Sequence, residues 1–214
     1  MQNWFVLARV SLLLPEQASA RPQASLTTVQ VRTLPHAHVH LEKGVWNITD
    51  ADEKQALIME GRKRAEVAQP TRTHMSLVRL MQEGILKFLV SQNVDGLHLK
   101  SGIPLEQLAE LHGNNNLETC VDCGRAFLRD FRTRTSEDPH EHRTGRTCDD
   151  CGGELRDSII SFGEPLPRKT LEKAFQVARE SDLCLCLCTS LQVQPAGMVP
   201  EYAAMDGGKL VIVK

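Results

Sequence analysis

From about residue 70 onward, apolar positions fall into short runs, and polar residues gather just beyond the ends of those runs. Thr73–Gln82 (THMSLVRLMQ) carries apolar residues at helical spacing, which predicts a helix with Met75, Leu77, Val78 and Met81 turned inward and Gly84 ending it. Ile85–Val90 is a short apolar run that predicts a buried strand, leading directly into Ser91-Gln92-Asn93-Val94-Asp95-Gly96. Pro104–Leu111 reads as a further helix, followed by His112-Gly113-Asn114, and Lys169–Arg179 reads as another. Asp182–Leu187 (DLCLCL) and Lys209–Val213 (KLVIV) are continuous apolar runs of the kind buried on both faces of a parallel sheet. Strand, helix and strand alternate without any internal repeat, so the expected class is α/β with a parallel sheet.

The first 43 residues do not share this pattern. Residues 4–14 (WFVLARVSLLL) are apolar around Arg9, as in signal peptides and organelle transit segments, but the interrupted run and the cysteines discussed below argue against secretion. Residues 15–40 are rich in Pro, Ala, Ser, Thr and His and read as a linker. The expectation is a divergent or disordered leader over 1–43, with the folded domain over 44–214. Three alternate histidines, His36, His38 and His40, would share one face of a strand and could bind a metal; a solvated loop is the simpler reading.

The 214 residues suit one domain with a small inserted module. With 25 basic and 27 acidic residues the net charge is -2, so nothing global favours nucleic acid or an anionic membrane. No apolar stretch reaches the roughly 18 residues a membrane span needs. Aromatics are only 4% of the chain, so the core must rest on Leu, Val, Ile and Ala.

Cysteine spacing carries the first specific chemistry. Cys120/Cys123 and Cys148/Cys151 form two C-x2-C pairs around a 24-residue insert, the pattern of a tetrahedral zinc site with four thiolates. Gly124 and Gly152-Gly153 follow the pairs and supply positive φ for the knuckle turns. A site closed by four cysteines leaves no open position, so its role is structural. The module spans about 117–155. Cys184, Cys186 and Cys188 lie in an apolar run and read as small buried hydrophobes. Zinc thiolates together with free buried thiols indicate a reducing compartment, nucleus or cytoplasm.

The polar clusters lie where open parallel sheets bind ligands, beyond the carboxyl ends of strands. Gln92, Asn93 and Asp95 could bond a carboxamide and ribose hydroxyls; taken alone, the segment reads as a turn bonding its own backbone. His112 suits a general base near neutral pH, although a lone histidine is more often structural. Thr189 and Ser190 suit a ribose or phosphate, or simply cap the next turn. Phe162-Gly163-Glu164-Pro165-Leu166-Pro167 is an extended, proline-held loop suited to pairing with a peptide.

The order of these motifs is more specific than any one of them. Ser-Gln-Asn-Val-Asp-Gly-Leu-His, Glu-Leu-His-Gly-Asn, the two cysteine pairs, Phe-Gly-Glu-Pro-Leu-Pro, Thr-Ser-Leu-Gln-Val-Gln-Pro and Leu-Val-Ile-Val together resemble the sirtuin family of NAD-dependent protein deacylases, over about residues 44–214. Gly44-Val45-Trp46, Arg72-Thr73-His74-Met75 and Glu154-Leu155-Arg156-Asp157 are most similar to its nuclear, chromatin-associated branch. The resemblance implies a Rossmann-like domain carrying a small zinc lobe, with NAD and an acyl-lysine peptide meeting between them. It implies His112 as general base, with Asn93 beside it in the catalytic site. It implies Gln92 and Asn93 on the nicotinamide ribose, Asp95 on the carboxamide, and Thr189 and Ser190 on the adenosine side. Phe162, Gly163 and Glu164 would border the acyl-lysine tunnel. Implied partners are acylated-lysine proteins, histones among them, in the nucleus. Contact of the lobe with nucleic acid would rest on Arg125, Arg129, Arg132, Arg134, Arg143 and Arg146, but Asp130, Glu137, Asp138 and Glu141 lie among them.

The sequence also departs from the family pattern. The family's Gly-Ala-Gly-x-Ser cofactor loop has no counterpart, since residues 1–43 contain no glycine. Cys188 stands where the family has Gly before Thr-Ser, and the chain ends at Lys214 where the family continues. The expectation is a partial or alternatively spliced sirtuin with an incomplete sheet, an exposed strand edge and weakened NAD binding. The alternative is a catalytically silent, zinc-bearing module that binds acylated peptides or partners.

Overall fold

The computed structural model describes residues 68–213, the backbone of Trp4–Ala8, and three helical positions, Asp52, Ala56 and Glu60. The chain divides into two units, Met1–Val29 together with Pro70–Lys214, and Gln30–Gln69. In the second unit Asp52, Ala56 and Glu60 are helical and exposed, and their spacing places them on one face. The linker over 15–40, the three alternate histidines and Gly44–Trp46 lie outside the described residues.

The first unit holds a five-stranded sheet in the order β3-β2-β1-β8-β9. Its strands are β1 (Trp4–Ala8), β2 (Leu86–Ser91), β3 (Leu108–Glu110), β8 (Leu183–Leu187) and β9 (Lys209–Val213). The β2/β3 and β8/β9 pairs are parallel, whereas β1 runs antiparallel to both β2 and β8. Four strands therefore point the same way around one reversed central strand.

That central strand comes from the segment read above as part of a divergent leader. Its backbone fills the middle of the sheet and joins two parallel pairs, so β2 and β8 gain partners where an unpaired edge was expected. Its direction matters for function. Trp4 pairs with Ser91 and Leu187, at the carboxyl ends of β2 and β8, while Ala8 pairs with Leu86 and Leu183 at the opposite edge.

Helices cover both faces of the sheet. On one face α1 (Arg72–Gln82) buries Leu77, Val78 and Met81 with Leu86, Leu89, Ile103 and Leu108. Its start is fixed by His74, whose Nδ1 accepts the Thr71 N–H at 3.2 Å and meets the Thr71 hydroxyl at 2.8 Å. Met75, expected to face inward, is 50% exposed because the helix turns His74 to the core instead. On the other face α3 (Arg168–Glu180) and α4 (Val199–Met205) pack Ala174, Ala178, Val199 and Ala203 against Phe88, Val90, Cys184 and Cys186. Strand periodicity sorts β8: Cys184 and Cys186 face the α3 side, and Leu185 and Leu187 the α1 side.

Two sequence readings are corrected here. Pro104–Leu111 is not a helix but a single 3-10 turn, Leu105–Gln107, followed by β3, in which Leu108 and Ala109 are buried against β2. The run is too short and too deeply buried for its helical spacing to decide. Cys184 and Cys186 are fully buried, but Cys188 is exposed, since it lies past the end of β8.

Between β3 and α3 a second, antiparallel sheet is inserted, in the order β5-β4-β7-β6. It comprises β4 (Leu117–Cys120), β5 (Ala126–Leu128), β6 (Arg143–Thr147) and β7 (Glu154–Asp157). Its core is small: Cys120, Cys148 and Leu155, with Phe127 packed against them.

Candidate functional site

The polar segments that follow β2, β3 and β8 meet at the carboxyl edge of the sheet. Gln92, just past β2, is buried and donates from Nε2 to Thr189 Oγ1 at 3.3 Å. Its backbone carbonyl lies 3.0 Å from His112 Nδ1. A carbonyl can only accept, so Nδ1 carries the proton and the neutral ring keeps its lone pair on Nε2, the form a general base requires. Three strands thus contribute to one network of Gln92, His112 and Thr189.

The neighbouring predicted residues hold the loop's shape. The Asn93 N–H donates to Ser91 Oγ at 3.1 Å, and Asp95 Oδ1 accepts the Leu97 N–H at 3.0 Å, at the start of the short helix α2 (Leu97–Ser101). The Asx turn weighed from sequence is therefore present, alongside the half-buried placement of Asn93 and Asp95. Ser190 is exposed and its Oγ accepts the Gln192 N–H at 3.4 Å.

His112 is fixed from the lobe side as well. Its carbonyl accepts the Ile160 N–H at 3.0 Å, and Ser158 Oγ both accepts the Asn114 N–H and donates to the Asn114 carbonyl, each at 3.0 Å. Asn114 Nδ2 donates to both oxygens of Glu110, at 3.1 and 2.9 Å. Burial pushes the Glu110 carboxyl up to about 7, against the Asn114 bond and with help from the Asp95 charge. Glu110, Asn114 and Ser158 were not singled out from sequence as site residues. The Glu-Leu-His-Gly-Asn motif is the visible signal for Glu110 and Asn114, whereas Ser158, 44 positions from Asn114, has none.

Cys188, next to Thr189, adopts φ +52 and is exposed. The left-handed region costs a residue with a Cβ about 1–2 kcal/mol. Cys188→Gly is therefore expected to raise stability by about 1 kcal/mol once glycine's greater unfolded freedom is counted. A thermal melt checks this, and an unchanged or lower Tm refutes the strain.

The four paired cysteines converge. Their sulfur atoms all lie within 4.8 Å of one another, with Cys120–Cys151 at 3.4 Å and Cys123–Cys148 at 3.7 Å. Four thiolates at 2.3 Å from one zinc ion are separated by about 3.8 Å, so this donor set fits tetrahedral zinc. Each knuckle closes by a glycine N–H on the first cysteine's carbonyl, Gly124 on Cys120 at 3.1 Å and Gly152 on Cys148 at 2.9 Å. Both glycines have positive φ, 72° and 74°. Gly153 is packed so closely that a Cβ there would come within 2.9 Å of Cys120 Sγ.

Most of the lobe's arginines are engaged with acids. Buried Glu118 accepts Arg129 Nε and Arg146 Nε, each at 2.8 Å, while Arg125 pairs with Asp150 and Arg143 with Glu154. Neutralised in this way, they offer little free charge for a phosphate backbone. Phe162 is 70% exposed and Gly163 has φ +90. Glu164, by contrast, turns its carboxylate into the lobe, 2.8 Å from His142 Nε2.

Comparison with known proteins decides the ancestry. The Sir2 family profile matches residues 36–195, which is most of the chain. The chain belongs to the Sir2 family. It is 47% identical over 148 residues to the NAD-dependent protein deacetylase SRT1 of Arabidopsis thaliana, covering 68% of this chain and 31% of that protein. It is 46% identical over 134 residues to human NAD-dependent protein deacetylase sirtuin-7, covering 59% of this chain and 33% of that protein. The chain thus spans about a third of the length of these curated relatives. Among solved structures, a Sir2 homolog–NAD complex superposes with TM-score 0.59 and 28% identity, over 77% of this chain and 61% of that one. Sir2Tm bound to a propionylated peptide gives TM-score 0.56 and 32% identity, over 76% and 66%. The Rossmann-like sheet with its inserted four-cysteine lobe is the Sir2 architecture. Among the described residues, no helix is long and apolar enough to cross a membrane.

Proposed function

We propose that the chain is an NAD-dependent protein-lysine deacylase that transfers the acyl group to ADP-ribose, with a weakened grip on the cofactor's diphosphate. The observation that carries this reading is the His112–Gln92 bond, which leaves a basic imidazole nitrogen at the carboxyl edge of the sheet. Relatives named as NAD-dependent deacetylases, and Sir2 structures with NAD and with a propionylated peptide, support it.

NAD is a co-substrate here: the acyl oxygen displaces nicotinamide from the ribose, and the acyl group ends on the sugar. His112 Nε2 takes the proton from the ribose hydroxyl that then reacts. Gln92 and Asn93 hold the nicotinamide ribose, Asp95 the carboxamide, and Thr189 and Ser190 the adenosine side. Thr189 already orders Gln92 through their side-chain bond. The Phe162–Glu164 loop borders the acyl-lysine. Holding two substrates in register supplies most of the rate, and proton removal contributes about 10²–10⁴-fold.

The weak grip follows from direction and composition. In a Rossmann sheet a glycine-rich turn after the first strand presents the diphosphate to a helix N-terminus. Here the central strand β1 enters at the carboxyl edge and leaves at the opposite one, and residues 1–43 contain no glycine. The Arg72–Met75 and Glu154–Asp157 motifs, similar to those of the nuclear, chromatin-associated branch, support nuclear substrates, histones included.

The test is nicotinamide release from NAD with an acetyl-lysine peptide. His112→Tyr is expected to cut peptide-dependent release by about 10²-fold or more. Equal release by both forms refutes the base assignment. No release from either leaves a zinc-bearing acyl-peptide module instead of an enzyme.

A further inference from the structure

Between the lobe and the Phe162–Glu164 loop lies a histidine that the proposed reaction does not use. His142 precedes β6 and is only 8% exposed. Its Nε2 lies 2.8 Å from Glu164 Oε1, and its Nδ1 lies 3.3 Å from Asp157 Oδ1 at the end of β7. An ionised carboxylate can only accept, so both ring nitrogens must donate, and only the imidazolium does that. A neutral ring loses one bond and sets a lone pair against a carboxylate, in a place where little water can substitute.

The surrounding groups enforce the same arrangement. Glu164 Oε2 accepts the Ser161 N–H at 2.7 Å, and His140 Nδ1 stands 3.2 Å from Glu164 Oε1. Asp157 Oδ1 accepts the Ile159 N–H at 2.9 Å, and its other oxygen lies 3.9 Å from Arg134 Nε. Ser161 Oγ donates to the Pro139 carbonyl at 2.5 Å. Pro139–His142 and the Ser161–Glu164 end of the loop are thus bonded to each other, with His142 at the centre.

We propose that His142 is a positioning residue: as an imidazolium shared by Asp157 and Glu164 it clamps the acyl-peptide loop to the zinc lobe, so that substrate affinity falls in alkaline solution. The substrate half of this inference rests on the deacylase reading; the clamp rests on geometry alone. Burial works to lower His142, but the bonds and charges of Glu164 and Asp157 outweigh it and hold the ring above its ordinary 6.5. Burial works to raise Glu164, but His142, the Ser161 N–H and His140 hold it at about 2. A raised histidine contributes fully below 6.5, and its contribution is lost as pH climbs through the raised value. Glu164's contribution is present above its ordinary 4.5 and is lost only as pH falls through about 2. The clamp therefore holds from mildly acid to neutral pH and opens on the alkaline side.

Three readouts on the full, zinc-loaded chain test this between pH 5.5 and 9. The first is the NMR titration of the His142 ring. The second is amide exchange of residues 159–166, corrected for intrinsic rates, and the third is the Kd of an acetyl-lysine peptide. The expected results are a His142 midpoint above 6.5, loop protection that disappears in step with it, and peptide affinity that weakens about tenfold over the same range. In His142→Gln both loop exchange and affinity are expected to sit at the alkaline wild-type level at every pH. Should that variant not fold, Glu164→Gln is expected to lower the His142 midpoint and flatten the same curves. A midpoint at or below 6.5, or loop exchange that ignores the titration, overturns the clamp. A peptide Kd flat with pH while the loop responds overturns its role in substrate positioning. No peptide binding at any pH overturns the deacylase reading itself, a failure the exchange data keep separate.

Discussion

Removal of zinc is expected to unfold the Leu117–Asp157 lobe while the larger sheet persists. Of the three buried residues in the lobe's core, Cys120 and Cys148 are themselves ligands, leaving Leu155 with partly covered Phe127 as the apolar remainder. So small a core cannot offset the entropy of ordering four short strands. Structural zinc contributes about 10–16 kcal/mol in zinc-finger peptides, as much as the whole stability of a typical domain. Hydrogen exchange with and without a strong chelator reads the result. Amides of β4, β6 and β7 are expected to lose protection, whereas β2 and β8 keep theirs. Cys148→Ser is expected to lower bound zinc from one equivalent and to reproduce the pattern. A lobe that stays protected with no zinc bound would show that protein packing alone suffices. The loss is expected to extend to function, because His142, bonded to Asp157, holds Glu164 of the loop proposed to border the acyl-lysine.

Gly113→Ala is expected to be the most damaging single methyl in the site. Gly113 has φ +84, and a Cβ there would overlap the Ser158 carbonyl oxygen and stand 2.9 Å from Ile159 Cα. Both obstacles are backbone and cannot swing aside. Gly102 is the matched control: its φ is +102, yet a Cβ would meet nothing within 4 Å. Gly102→Ala therefore carries only the conformational penalty, about 1–2 kcal/mol. Gly113→Ala adds steric displacement and is expected to cost about 3–5 kcal/mol and to dislodge the adjacent His112. Denaturant midpoints of the two variants measure the difference. Equal shifts would mean that Gly113 and the Ser158 segment do not approach this closely.

Much of this molecule is legible in its sequence, for physical reasons that differ by segment. Lys209–Val213 is the predicted strand residue for residue, because a continuous apolar run has no competing period. As the edge strand beside β8 it is only partly covered, and not buried on both faces as its composition predicts. The two cysteine pairs were equally clear, since metal geometry tolerates few spacings. Pro104–Leu111 reads as a helix because Leu105, Leu108 and Leu111 fit helical spacing, while what fixes β3 is its pairing with β2. Trp4–Ala8 could not be placed at all from local pattern. An apolar pentapeptide fits a leader or a strand, and only the gap between β2 and β8 selects the strand and its reversed direction. His142 is not legible as a site residue from the sequence, because its meaning lies in Asp157 and Glu164, residues 15 and 22 positions away. The His-x-His spacing of His140 and His142 was the available hint.

The direction of β1 is the ground for the proposed weak grip on the cofactor, and binding can weigh that proposal. Calorimetric titration of the zinc-loaded chain with NAD and, separately, with nicotinamide riboside compares the whole cofactor with the half that Gln92, Asn93 and Asp95 are proposed to hold. On the proposed reading, NAD is expected to bind no more than about tenfold tighter than the riboside, a gain of about 1.4 kcal/mol. NAD binding a hundredfold tighter or more would contradict the account, since it would require an intact diphosphate grip, as would a riboside that does not bind.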